Sequence, residues 1–145
     1  FSQRKGDKRF KSIEDMNKKG IKIAVLQGGA TLDWAKMYIP NATLVAVPGG
    51  DLVAVFMQLS MGHVDLAMGN AVTAKQYERD HPEVEPGLEG KIMNMTGASW
   101  TVRKGDQDLL NFMNVAIDYI TTSGREEGWE KKYGAEWFHI KIVIE

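Results

Sequence analysis

At 145 residues, 43% hydrophobic and 26% charged, the chain has the size and balance of one globular domain with a real core. Its 18 basic and 19 acidic side chains leave a net charge of −1, which offers nucleic acid or an anionic membrane little to attract. It has no cysteine, which excludes disulfides, thiolate metal sites and a cysteine nucleophile, and no apolar run approaches the roughly 18 residues of a helical membrane span.

Residues 1–11 are polar and basic, five of the eleven being Lys or Arg, and read as a solvated, partly frayed start. Phe1 is not a natural start, so any signal peptide is expected to have been removed. Ser12-Ile-Glu-Asp15 matches a capping box for a short helix ending near Gly20. Ile-Lys-Ile-Ala-Val-Leu at 21–26 reads as a strand. It runs through Gln27-Gly28-Gly29 into a helix over about 31–39, stopped by Pro40. Residues 43–47 form a second apolar strand. Pro48-Gly-Gly-Asp51 turns the chain, and Asp51 caps a helix with Leu52, Val55, Phe56 and Leu59 on one face. A third strand is expected at 64–68, then Gly69-Asn70 and a helix over about 71–80.

Residues 81–90, with two prolines and two glycines, read as a surface loop. Strands four and five are expected at 91–95 and 99–103. Asp106 or Asp108 caps a long helix whose apolar stripe is Leu109, Phe112, Met113, Ala116, Ile117 and Ile120. Gly124 and Gly128 are expected to break or bend its continuation. A short helix is expected over 129–138 and an edge strand over 139–145.

This alternation predicts an α/β fold, three layers α/β/α around a mainly parallel five-stranded sheet. Ligands in such folds sit outside the carboxyl ends of the strands. Those ends are 27–31, 47–51, 69–73 and 96–99, all rich in Gly, Thr, Ser or Asn. A strand passing through a glycine turn into a helix leaves free N–H groups at the helix start, which attract an anion such as a carboxylate. The plainer reading of Gly28-Gly29 is a tight connection. Trp34 either stacks on a ligand or covers the helix–sheet junction. His63, His81 and His139 are far apart in sequence and unpaired with acids, so no metal site or cofactor is expected. Gln3-Arg-Lys-Gly-Asp7 is echoed by Val102-Arg-Lys-Gly-Asp106.

In this order and spacing several stretches resemble the type II, amino-acid-binding class of periplasmic solute-binding proteins. They are the lead-in Ser12–Val25, the turn Gly28-Gly-Ala-Thr31, Gln58-Leu-Ser-Met-Gly-His-Val-Asp-Leu-Ala-Met68, Trp100-Thr-Val-Arg-Lys-Gly-Asp106, and 124–134 with Trp129 and Tyr133. The resemblance implies the second lobe of a two-lobed protein plus its C-terminal segment. Residues 1–20 would be an outgoing hinge strand and lead-in helix, 21–98 the ligand-binding lobe, and 99–145 the returning hinge strand and C-terminal helices.

It further implies a small carboxylate-bearing ligand, an ABC permease as partner, and a periplasmic or extracellular place, soluble or lipid-anchored. Gly28, Gly29, Ala30 and Thr31 would hold the ligand carboxylate, with Asn70, Thr73, Ser99 and Trp34 reading the rest. Where the class commonly has an Asp for the ligand's α-amino group, this chain has Asn70. A dehydratase branch of the same fold acts on a cyclohexadienyl acid, but the Glu that it uses has no counterpart near Thr73, so catalysis is not expected. A sensory or effector-binding domain on this fold is a further alternative. The stripe on helix 108–122 needs a cover, by refolding onto the sheet, by a second copy of the chain, or by another lobe.

Overall fold

The computed structural model describes residues 1–91, 93 and 100–133. They fall into two units, 1–94 and 95–145. The first holds a sheet of five strands: β1 (Ser2–Arg4), β2 (Lys22–Leu26), β3 (Thr43–Val47), β4 (Leu66–Ala67) and β5 (Val84–Pro86), in the spatial order β3-β2-β4-β1-β5. Strand β2 pairs in parallel with β3 and β4, while β1 runs antiparallel to both β4 and β5. Four strands thus share one direction, and the sheet is mixed through β1 alone.

The helices are α1 (Ile13–Met16), α2 (Ala30–Tyr38), α3 (Leu52–Ser60) and α4 (Ala71–Asp80). Alternate strand residues face opposite layers, because successive side chains of a strand point to opposite faces. Ile23, Val25, Leu66 and Met68 join one cluster with Met16, Ala35 and Ile39 from α1, α2 and its cap. Ala24, Val47 and Ala67 join the other, with Val55, Phe56 and Leu59 of α3 and Tyr77 of α4. These two clusters are the two inner faces of the expected three-layer α/β/α lobe.

Strand membership differs from expectation in three places. Residues 2–4 are not a solvated start: they form β1 inside the sheet, with Ser2 and Gln3 buried. Side-chain bonds make this polar strand tolerable. The Ser2 hydroxyl donates to Glu78 Oε1 at 2.6 Å, and Gln3 Nε2 donates to the Asp7 carbonyl and to Glu85 Oε1. Nor is 81–90 only a loop. It supplies edge strand β5, followed by a 3₁₀ turn at Gly87–Gly90 that buries Leu88. Residues 91, 93 and 100–103 carry no strand; the rest of those two expected strands lies outside the described residues.

The capping box at Ser12 forms in modified shape. Ser12 Oγ accepts from Asp15 N–H at 3.4 Å, while Asp15 reaches back to Lys11 N–H and to Lys18 Nζ. Helix α1 therefore ends at Met16, short of Gly20.

In the second unit, α5 (Gln107–Thr122) starts from Asp106, whose Oδ1 accepts from Leu109 N–H at 3.2 Å. It is followed by α6 (Arg125–Tyr133). Gly124 separates the two helices, whereas Gly128 lies within α6 and does not break it. The remainder of the expected 129–138 helix and the 139–145 strand lie outside the described residues. The sequence echo corresponds to a shared turn: Asp7 N–H donates to Arg4 O and Asp106 N–H to Arg103 O, each at 3.1 Å.

Candidate functional site

Three helices begin at the same edge of the sheet, after the carboxyl ends of β2, β3 and β4. The register brings these ends level. Leu26 pairs with Val47, Ala24 pairs with Ala67, Gln27 N–H donates to Val47 O and Met68 N–H to Ala24 O. The loops carrying Gly28, Asp51 and Asn70 are thus neighbours on one rim, with the Gly28 loop in the middle.

The three helix starts are chemically unequal. Asp51 Oδ1 accepts from Val53 N–H at 2.8 Å and caps α3. Asn70 Oδ1 accepts from Thr73 N–H at 2.8 Å and caps α4. Helix α2 has Gly29 as its N-cap and no side-chain cap. Leu32 N–H closes onto Gly29 O, but the N–H groups of Ala30 and Thr31 have no hydrogen-bond partner among the described residues. The turn that frees them depends on Gly28, at φ +73°, a conformation that costs other residues about 1 kcal/mol or more. Two open N–H groups at the positive end of a helix form a receptor for an anion.

A second glycine sets the height of the neighbouring loop. A Cβ on Gly69 would lie 2.7 Å from Phe56 Cζ, so only glycine lets the chain pass over that ring before Asn70.

Of the eight residues expected to form the site, the structure brings Gly28, Gly29, Ala30, Thr31, Asn70 and Thr73 to this rim. Trp34 sits one turn further down α2. It packs against the core cluster, makes an edge contact with Phe1 at 6.1 Å, and lies 4.8 Å from Tyr38 between ring centres. Ser99 lies outside the described residues.

Trp34 also lines an open hollow of about 520 Å³ with Ile13, Ala30, Asp33, Met37, Tyr38 and Met93. Ala30 belongs to both the hollow and the rim, so the two are continuous. Sequence reasoning missed this hollow, although positions 30, 33, 34, 37 and 38 have the spacing of a single helix face. Met37 is 71% exposed there, which marks an apolar surface left open.

The opposite edge of the sheet holds the acids and bases that do not reach the rim. Asp65 accepts from Lys22 N–H at 3.0 Å and from Arg9 Nη2 at 2.9 Å, with Arg4 Nη2 at 3.7 Å. Burial works against its charge, but those donors outweigh it and hold the carboxyl below the usual range. Asp7 is held low by its paired contacts with Arg9. This cluster ties the starts of β2 and β4 together and leaves the rim without those acids. Among the described residues, no group of three or more His, Asp or Glu is placed to hold a metal ion.

No family model matches the chain. Cyclohexadienyl dehydratase of Pseudomonas aeruginosa is 32% identical over 76 residues, covering 52% of this chain and 28% of that protein. An ancestral arginine-binding protein solved with arginine bound is 25% identical at a TM-score of 0.69, the match covering 94% of this chain and 58% of that one. A putative ABC-transporter binding component from Wolinella succinogenes, solved with lysine, shares the fold at a TM-score of 0.73 and 19% identity, covering 90% and 56%. These solved neighbours are amino-acid-binding periplasmic proteins, and the chain shares the fold of part of their length. It spans a little over half the length of these solved relatives. Most of the similar structures are binding proteins, and the α/β lobe with its mixed five-stranded sheet is the part of the fold on view here.

Proposed function

We propose that the chain is the second lobe of a periplasmic solute-binding protein and holds a small carboxylate-bearing solute, an amino acid or a related acid, for an ABC-type importer. The observation that carries this reading is the uncapped start of α2, set between two helix starts that supply their own caps. The solute carboxylate accepts from Ala30 and Thr31 N–H, with the Thr31 hydroxyl beside them. Asn70, Thr73, Ser99 and Trp34 read the remainder. Binding is non-covalent, and one lobe encloses only part of a ligand, so the affinity of this chain alone is low. The amino acids bound by similar proteins support this reading.

Gly29→Asp tests it directly. Gly29 has φ −85° and ψ 154°, which any residue adopts, and its Cβ would meet Leu26 at an ordinary 3.4 Å. An aspartate there caps α2 from within and occupies the N–H groups that the solute needs. Stability rises by about a few tenths of a kcal/mol while carboxylate binding disappears. A variant that binds carboxylates as the parent does would sink the site.

The 32% match to a dehydratase gives a second reading, turnover of a cyclohexadienyl acid. It requires a general acid. Residues 70–77 contain no carboxyl group, and Glu78 lies about 12 Å along α4 from Asn70 at helical rise, hydrogen-bonded to Ser2. Burial pushes its carboxyl up, against the opposing effect of the Ser2 bond. Aromatic product formed from a cyclohexadienyl acid, and lost in Glu78→Gln, would establish this alternative.

A further inference from the structure

We infer that the β3 edge of the sheet is a pairing surface for a second copy of this chain, the two β3 strands joining antiparallel about a twofold axis at Val45. The sheet has two outer strands, and they are built differently. Strand β5 is three residues, Val84-Glu85-Pro86, and its carboxylate and proline are devices that keep an edge from pairing with other chains. Strand β3 is five residues, Thr43-Leu-Val-Ala-Val47, and carries neither. From Met37 to Gly50 the chain has no charged side chain. Pro40 and Pro48 lie outside the strand and limit any pairing to these five residues.

The ladder with β2 fixes what this bare edge offers. Thr43 N–H donates to Ile21 O at 2.8 Å and Gln27 N–H to Val47 O at 2.9 Å, and the parallel register runs unbroken from Lys22–Thr43 to Leu26–Val47. Along such a strand, residues alternate between bonding that neighbour and pointing away from it. Thr43, Val45 and Val47 therefore spend their N–H and C=O groups on β2. Those of Leu44 and Ala46 point outward, where no strand lies among the described residues. The side chains are open as well. Helix α3 packs over β2, β4 and β1, while Leu44 and Val45 stay half-buried and Thr43 and Ala46 exposed.

A second β3 matches this edge in both respects. With Val45 on the axis, Leu44 N–H meets the Ala46 carbonyl of the second copy, Ala46 N–H meets its Leu44 carbonyl, and the axis repeats both bonds. Leu44 then lies opposite Ala46, a large side chain beside a small one, and Val45 lies opposite itself as a β-branched pair. Backbone bonds of this kind supply the affinity when a strand is added to a sheet. The net charge of −1 sets little repulsion between copies. The axis turns the two rims to opposite ends of the joined sheet.

Light scattering after size exclusion, with amide exchange followed by NMR, tests this on the full chain at low and high micromolar concentration. The mass is expected to rise with concentration from 16.2 kDa to twice that value. The Leu44 and Ala46 amides exchange slowly only in the doubled form, whereas those of Thr43, Val45 and Val47 are protected at both concentrations and report an intact sheet. Ala46→Lys sets a charge on the exposed edge and returns the single-chain mass while those three amides stay protected. Phe112→Lys, on α5, leaves the doubled form in place. The inference is overturned by a chain that stays single at high micromolar concentration, or by a dimer whose Leu44 and Ala46 amides exchange as fast as in the dilute chain. A dimer that Phe112→Lys dissociates and Ala46→Lys does not overturns it too. Protection of Leu44 and Ala46 at every concentration in a single chain would assign the edge to another segment of the same chain, and likewise overturn it.

Discussion

Asn70 Oδ1 and Thr73 N–H, 2.8 Å apart, close the first turn of α4. Asn70→Ala removes the cap and is expected to cost about 1 kcal/mol, read as a lower urea midpoint. Asn70→Asp keeps an acceptor in place and holds the parent midpoint within a few tenths of a kcal/mol. Equal losses in both variants would show that Oδ1 does not cap the helix.

Gly69 passes over Phe56 with no room for a methyl group. Gly69→Ala therefore forces the buried ring or the loop to move, at about 1–3 kcal/mol. Phe56→Leu alone also destabilises, because Phe56 is fully buried and stacks on Tyr77 with ring centres 5.6 Å apart. In the double variant the smaller side chain relieves the clash, so the combined loss falls short of the sum. Strictly additive losses in chemical denaturation would contradict the close approach.

Acid stability depends on the Asp7–Arg9–Asp65–Arg4 cluster. Both carboxyls sit below their ordinary values, so they bind protons less readily in the folded chain. Their stabilisation is fully present above the unfolded carboxylate pKa, about 4, and is lost as pH falls through the lower folded values. Asp65→Asn should lower stability at pH 7 by about 1 kcal/mol, half-exposed Arg9 screening the pair. It should also flatten the fall below pH 4. A pH profile of thermal midpoints parallel to that of the parent chain would refute this account.

Helix α5 buries none of its own residues, and Phe112 and Val115 are 67% and 69% exposed. A second copy of the chain is one of the covers open to this stripe, beside refolding onto the sheet and another lobe, and it is the one that mass tests. Under that cover, light scattering after size exclusion shows about twice the mass of the 16.2 kDa chain, and Phe112→Lys returns it to the single-chain value. A monomer at high micromolar concentration would refute self-association.

Much of this lobe was legible in the sequence because its signals are local. The apolar run of β2, buried on both sides from Ile23 to Val25, and the helical spacing of α3 follow directly from apolar residues, and Asp51 and Asp106 announce their caps. Strands β1 and β5 carry no such signal. Ser-Gln-Arg and Val-Glu-Pro are three residues each, polar or ended by proline, and their places are fixed by each other, by β4 and by partners as distant as Glu78. The rim was readable as a cluster of small polar residues. That α2, alone of the three rim helices, lacks a side-chain cap, and that the Asn70 oxygen caps α4, are three-dimensional facts that the sequence analysis did not reach.

Strand β1 lies between β4 and β5 and supplies the contacts that attach β5 to the sheet. During synthesis Ser2–Arg4 is made first and its outer partner, Val84–Pro86, some eighty residues later, so the sheet cannot be completed co-translationally until the lobe is nearly finished. Such late closure of a long loop slows folding. It leaves the nascent chain with an unpaired β1 edge, where a chaperone or a neighbouring copy can intervene.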